Sequence, residues 1–453
     1  MLTVMGFATI VAVLGLLLSN RVSAVVALIG VPVLAAFAAG FSPAEVGEFV
    51  GAGLSGVAGT AAMFVFAILY FGVMRDAGLF DPIIRRVLGF AGSNPVTIAI
   101  ATVVLAMAAH LDGAGATTFL ITIPAMIPLY DALGMRRLVL AALTGLGAGI
   151  MNLVPWGGPT ARAATATGID ANEIWVPLIP AQAVGAVACV AIAYLLGRRE
   201  KARIAGARPV AATAGGGGVG RADAIASPGA ASSDAGGAPD EGLRRPGLFW
   251  VNVALTLAAV AVLISGLLPP ELVFMLALVV ALVVNYPGLK NQTDRVNAHA
   301  QGAILMASTL LAAGVFLGIM EESGMIDGMA RAMTAAMPDA LGPGLPLLVG
   351  VLAVPLSLLF GPDAYYFAVL PVLTAVGDAF GVSSLSLAQA SVVGEETVGF
   401  PISPLTGSFY LLTGLSGVSI GSHIRFLLPW AWLVSLVVLA AAALTGAIPL
   451  WAG

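Results

Sequence analysis

Charge is scarce in this chain: Asp, Glu, Lys and Arg make up 9% of its 453 residues, against about 25% in a soluble domain. So thin a polar covering cannot keep a surface of this size in water. Cysteine is nearly missing too, with Cys189 alone and set within an apolar run, which excludes a disulfide framework and a cysteine metal site. The three histidines, 110, 299 and 423, fall at no metal-ligand spacing. No HExxH, GxSxG or Walker A string occurs, nor a GxGxxG before a strand. A net charge of -4 leaves no basic footprint, so nucleic acid is not an expected partner.

What is abundant is apolar: 59% of residues are hydrophobic, and the mean hydropathy is +1.03. Apolar runs of about 20 residues, the length that crosses a bilayer, recur throughout. Candidate spans fall at 3–19, 23–41, 57–74, 138–167 and 175–197, then at 248–267, 271–286, 302–320, 385–416 and 424–446. The first reads as a retained span rather than a signal peptide, because it lacks a basic n-region and a small-residue cleavage site. Two further apolar segments, 95–130 and 345–377, carry Gly, Pro and polar residues at their middles. Backbone freed there has no partner in lipid, so each segment must be buried in protein or line a wet cavity. A re-entrant helical hairpin meets that condition better than two crossing helices.

Residues 198–246 open on RREKAR and continue through AGGGGVG and ASPGAASSDAGGAPDEG. Such a stretch buries no core and reads as a disordered cytoplasmic linker. The halves on either side resemble one another. FGVMRDAGLFD, 71–81, aligns with LGIMEESGMID, 317–327, sharing Gly72/Gly318, Met74/Met320, Gly78/Gly324 and Asp81/Asp327. LITIPAMIPLYDALGM, 120–135, aligns with FAVLPVLTAVGDAFGV, 367–382, sharing Pro124/Pro371, an Asp-Ala pair and Gly134/Gly381. An internal repeat follows.

Lys and Arg are retained on the cytoplasmic side of a membrane. With the linker inside and five crossings per half, only Arg331, and Arg162 within a span, fall elsewhere among the 19 basic residues. The loops then outside carry Glu45, Glu48, Asp170, Glu173 and Glu271 and no Lys or Arg. Five is odd, so the second half enters upside down. The expected fold is an all-α polytopic membrane protein of the cell membrane with two inverted-topology repeats, 1–197 and 247–453, each with five transmembrane helices and one re-entrant hairpin. Secondary transporters built this way hold substrate at the midplane, beside hairpin tips and broken helices. Transport is therefore favoured over a channel, which would show a polar pore or selectivity ring, and over an intramembrane hydrolase, for which no nucleophile and base pair up.

The first hairpin tip is HLDGAGATTF, 110–119, and its counterpart is FGPDAYYF, 360–367. Asp112, Gly113, Thr117, Thr118 and Asp363 are the candidate substrate contacts there. An intramembrane carboxylate is costly unless paired, so Asp112 and Asp363 read either as functional groups, near a metal or carrying a proton, or as caps and arginine partners. A second polar break, NLVPWGGPTARAATATG at 152–168, matches FPISPLTGS at 400–408, with Thr160 meeting Thr406. Proline and glycine free N–H and C=O groups that bind anion and cation respectively. Asn152, Gly157, Gly158, Thr160, Ser403, Thr406 and Ser408 are the candidates in these breaks. Arg162 suits a substrate carboxylate, which matches its geometry with two parallel bonds; its rival partner is Asp112 or another carboxylate of the chain. Glu395 and Glu396 read as proton-coupling acids or as part of a solvated rim. His110 reads as a proton site, a metal ligand or a satisfied structural residue.

NLVPWGGPTARAA, ILYFGVMRDAGLFDP (68–82), DAYYFAVLP (363–371) and SPLTGSFYLL (403–412) together resemble the CitMHS family, secondary transporters of citrate complexed with a divalent metal and coupled to protons. Family members similarly carry an acidic, Gly- and Thr-rich hairpin tip. DGAGATT keeps Asp112, Gly113, Gly115, Thr117 and Thr118 but has Ala114 and Ala116 where the family has an acid and a hydroxyl, and GEETVGFP, 394–401, stands where it has Gln and His. The resemblance implies a scaffold region that dimerises and a moving transport region of hairpins and broken spans, with no resident cofactor and a divalent metal such as Mg or Ca carried with citrate. The alternative within transport is a sodium-coupled, metal-independent di- or tricarboxylate carrier, since broken-helix carbonyls suit sodium equally well.

Overall fold

The computed structural model describes residues 1–19, 21–206, 241–338, 341–449 and 451. Amides surrounded by apolar side chains have only one another to bond, and among the described residues every regular element is helical. In the first half α1 (Leu2–Leu18), α2 (Ala24–Ala38) and α3 (Pro43–Asp76) precede an amphipathic α4 (Asp81–Ala91). A helix pair follows, α5 (Pro95–Ala109) and α6 (Gly115–Ala132), then an interrupted helix, α7 (Arg137–Met151) and α8 (Gly158–Thr167). The short α9 (Ala171–Trp175) leads into α10 (Ile179–Gly206).

The second half runs through the same order. It has α11 (Phe249–Ser265), α12 (Pro270–Asn285), α13 (Leu289–Glu322) and an amphipathic α14 (Met325–Ala336). Next come α15 (Leu345–Leu356), the single turn α16 (Pro362–Ala364), a π-helical turn (Tyr365–Val369) and α17 (Leu370–Ala379). An interrupted helix, α18 (Ser384–Val392) and α19 (Gly407–Ser416), and a closing α20 (Ile420–Leu444) complete it. Six helical stretches among the described residues are long and apolar enough to cross a membrane.

Glycines aligned in the sequence share a backbone conformation. Gly78 and Gly324 have φ of 83° and 73°, and Gly134 and Gly381 have 65° and 74°. A Cβ is strained there, so each pair marks the same turn made twice. Where α5 and α6 pack on each other, α15 and α17 instead both pack on α18.

The longest two helices, α3 and α13, form the most extensive contact in the molecule. They run antiparallel, because Gly53 faces Gly314 and Gly318 while Gly72 faces His299. A Cβ on Gly53 would overlap the Gly314 carbonyl and lie 2.8 Å from the Gly318 Cα, a backbone approach only glycine permits. A capping box starts α3: Ser42 Oγ accepts from Glu45 N–H, and the Glu45 carboxylate accepts from Ser42 N–H at 2.7 Å.

Both helices outrun the expected spans 57–74 and 302–320. Polar residues 289–301 stay helical because they find protein partners: Arg295 Nη1 donates to Asp76 Oδ2 at 3.0 Å, and His299 Nε2 lies 2.8 Å from the same oxygen. The expected linker is shorter than 198–246 for a similar reason. Residues 198–206 continue α10, where buried Glu200 accepts from Arg136 Nε at 2.6 Å and Arg203 Nη2 at 2.9 Å. At the far end Arg245 N–H donates to the Ala77 carbonyl at 3.0 Å, and its guanidinium lies over the Tyr286 ring. Residues 207–240 lie outside the described residues.

Gly53→Ala is expected to destabilise the protein by about 1–3 kcal/mol, the cost of overpacking a close contact. Gly51→Ala, with nothing within 4 Å of its Cβ, is expected to be neutral or slightly stabilising. Thermal unfolding in detergent compares the two; equal losses would mean that the α3–α13 approach is not limiting.

Candidate functional site

Pro155, Gly157 and Gly158 stop α7 at Met151 and delay α8 until Gly158. Peptide groups between them lack helical partners, so side chains stand in. Thr160 Oγ1 donates to the Leu153 carbonyl at 3.0 Å, and Trp156 Nε1 to the Leu111 carbonyl at 2.8 Å. A Cβ on Gly157 would overlap the Asn152 carbonyl. In the second half the chain leaves helical form after Val392 and resumes at Gly407, with a 3₁₀ turn at Phe400–Ile402.

The first tip is His110–Asp112 in 3₁₀ form followed by Gly113 at φ 75°. It touches both breaks: a Cβ on Gly113 would come within 2.9 Å of the Trp156 carbonyl, and one on Gly115 within 3.3 Å of Ser408 Oγ. His110 stacks on Phe400 at 5.8 Å between centroids. Its Nδ1 lies 2.8 Å from Thr118 Oγ1 and its Nε2 3.3 Å from Asn152 Oδ1. Asn152 Nδ2 donates to the Glu396 carbonyl at 2.9 Å. One chain of bonds thus joins the first tip, the first break and the second. Both ring nitrogens are engaged, an arrangement that suits a structural strut.

In the second half helix stops at Leu356 and resumes at Pro362, so Ser357–Gly361 lead into the expected tip 360–367, and this stretch sits on the second break. Ser357 Oγ accepts from Glu396 N–H at 2.9 Å and lies 3.1 Å from Glu395 Oε2. Tyr366 donates its hydroxyl to the Glu395 carbonyl at 2.8 Å. Glu396 takes φ of 49°, the one non-glycine residue at positive φ among the described residues. That turn carries its carboxylate to Thr406 Oγ1, 2.8 Å away at the start of α19, with Ser403 buried beside it. One oxygen of each glutamate, Oε1, is buried without a hydrogen-bond partner among the described residues. Neither carboxyl belongs to an ion pair among the described residues.

Arg162 projects from α8 toward the second tip. Its Nε donates to Asp363 Oδ1 at 2.7 Å and its Nη1 to the Gly158 carbonyl at 3.1 Å. Of the partners open to it, the structure gives Arg162 a carboxylate of the chain, and that carboxylate is Asp363 rather than Asp112. The pair joins a break in one half to a tip in the other. At 14% and 23% side-chain exposure, it is largely desolvated yet reachable.

Asp112 has a different partner. Its Oδ1 accepts from Ala114 N–H at 2.9 Å, and its Oδ2 lies 3.8 Å from Arg75 Nη1, which also donates to Thr117 Oγ1 at 2.9 Å. Asp112 and Asp363 are therefore held by separate arginines, and no three His, Cys, Asp or Glu among the described residues are placed to hold a metal. Arg75 was not among the residues singled out from the sequence, nor was His299, whose Nδ1 lies 3.5 Å from Arg75 Nη2. One signal was available: in windows that otherwise align, Arg75 and Asp76 face Glu321 and Glu322, so the repeat differs in charge at this spot.

The family model described as "Citrate transporter", CitMHS, matches residues 2–394. A Bacillus subtilis protein named citrate transporter is 43% identical over 448 residues, covering 99% of this chain and 100% of its own length. A second from the same organism, named Mg(2+)/citrate complex secondary transporter, is 40% identical over 448 residues and 99% of each chain. Among solved structures, the YdaH transporter of Alcanivorax borkumensis, reported to have an unusual topology, is similar at a TM-score of 0.59 and 17% identity over 90% of this chain and 89% of its own. That likeness is one of fold.

Glu396→Gly is expected to melt higher than Glu396→Ala in detergent, by about 1 kcal/mol, because glycine adopts positive φ without the steric cost that alanine bears. Equal melting temperatures would remove backbone strain from the account of this turn.

Proposed function

Because the chain belongs to the citrate transporter family, we propose that it is a secondary active transporter that imports citrate complexed with a divalent metal ion, coupled to protons, by alternating access. The observation that carries this reading is the Arg162–Asp363 pair, which sets one cation and one anion side by side where a helix break meets a hairpin tip. A metal chelate of citrate has both complements, carboxylate and metal. A trivalent anion bound to a divalent cation also keeps only one net negative charge, which lowers the cost of leaving water.

With that pair, the groups assigned to binding are the backbone freed at the two tips and two breaks and the small or hydroxyl residues they carry, Gly113, Thr117, Thr118, Gly157, Gly158, Thr160, Ser403, Thr406 and Ser408. Glu395 is assigned the coupled proton. Its carboxyl is buried, has Ser357 on one oxygen and no hydrogen-bond partner among the described residues on the other, so a proton can settle there without breaking an ion pair. Asn152 and His110 hold the first tip against both breaks. The two halves act as inverted repeats, with 95–130 and 345–377 as re-entrant hairpins that move with the broken helices across the cell membrane. The chain works as a homodimer with its linker in the cytoplasm. The α3–α13 pair belongs to the fixed part, as its length and close packing favour.

Reconstituted protein is expected to accumulate labelled citrate under an inward proton gradient only when Mg²⁺ or a similar divalent ion is supplied. Glu395→Gln is expected to lose gradient-driven accumulation while retaining citrate exchange. Accumulation driven by sodium without metal would replace this reading with a sodium-coupled carboxylate carrier. Unchanged proton-driven uptake by the glutamine variant would move the coupling site elsewhere.

A further inference from the structure

The Arg162–Asp363 contact is an incomplete ion pair. Arginine and carboxylate match best through two parallel bonds, yet here a single short bond joins them, Nε to Oδ1 at 2.7 Å. Nη1 is spent on the Gly158 carbonyl. Arg162 Nη2 and Asp363 Oδ2 take part in no hydrogen bond among the described residues. Each partner therefore keeps unspent capacity, a two-donor edge on one and open lone pairs on the other.

The setting makes the pair movable. Asp363 stands in the first turn of α16, just after Gly361, where a Cβ would meet Leu405 of the second break at an ordinary contact distance of 3.5 Å. Arg162 stands on α8, just past the first break. Relative motion of α8 and the second tip stretches this bond, and neither charge can be left alone in a partly dry site without a large penalty.

We propose that the Arg162–Asp363 pair is a placeholder for cargo: on loading, it is exchanged for two pairs, a cargo carboxylate on Arg162 and the cargo's divalent metal on Asp363. This rests on the reading of the protein as a metal–citrate carrier and names what enforces it. Bare citrate can engage Arg162 only by stranding Asp363 against further negative charge. A bare divalent cation can engage Asp363 only by stranding Arg162. The chelate alone satisfies both, so these two residues set the requirement for metal. The same exchange leaves Arg162 and Asp363 neutralising each other when no cargo is bound, which suits an empty carrier that must return.

The test is calorimetric titration of the full-length protein in nanodiscs with sodium citrate, MgCl₂ and an equimolar mixture of the two. Wild-type protein is expected to bind the mixture at least about tenfold more tightly than citrate alone, the equivalent of one charge-assisted bond. Asp363→Asn is expected to bring that ratio close to one by binding bare citrate better than wild type does. Arg162→Gln is expected to bind Mg²⁺ alone, which wild type does not. Should Asp363→Asn fail to fold, the double variant Arg162→Gln, Asp363→Asn, which leaves no lone charge, is expected to show weak binding with no preference for the mixture. If wild type binds neither citrate nor the mixture, the functional reading and the exchange fall together. If wild type shows the preference and Asp363→Asn or the double variant keeps it, the function stands and the exchange is overturned.

Discussion

The middle of a bilayer offers no hydrogen bonds, so every peptide group released from a helix there, and every charge, must be answered from within the protein. Much of what is distinctive in this chain follows from that demand. Helices are interrupted at four places, and the loose ends are tied to one another: Trp156 to Leu111, Asn152 to Glu396, Ser357 to Glu395 and Glu396. The tips and breaks stand as one connected cluster because none of them is satisfied alone.

Beside this cluster lies the most extensive helix contact in the molecule, α3 on α13. At one end glycines bring the two backbones together; at the other His299 fills the gap over Gly72 and gathers Asp76, Arg75 and Arg295 around it. Arg75 then reaches out of this pair to Thr117 and Asp112 on the first tip. The second tip is held across the halves by Arg162. Each tip is thus secured by one arginine from outside its own hairpin, one through a hydroxyl and a looser ion pair, the other through a short ion pair.

Much of this was legible in the sequence, and for physical reasons. Proline and glycine in apolar runs announce freed backbone, and helix does stop at Met151 and at Val392, within the two broken spans expected. Glycines that align in the sequence, Gly78/Gly324 and Gly134/Gly381, do share positive φ, which few other residues adopt. Partners were harder to read. Arg162 and Asp363 were both candidates, but a contact between residues 201 apart leaves no local trace. The polar start of α13 looked like a loop, because hydropathy does not register that Arg295 and His299 are bonded to Asp76. Residues 198–206 looked like linker because Glu200 and its arginines read as solvated charge until folding brings Arg136 alongside.

On the proposed reading, cargo binds where Arg162, Asp363 and the two breaks meet. An electron cryo-microscopy map of the protein with magnesium and citrate tests it most directly. Density for the complex is expected between α8 and the second tip, with Arg162 on a carboxylate and Asp363 within coordination distance of the metal, about 2.0–2.1 Å for magnesium. Citrate bound elsewhere, with the Arg162–Asp363 bond intact, would contradict it.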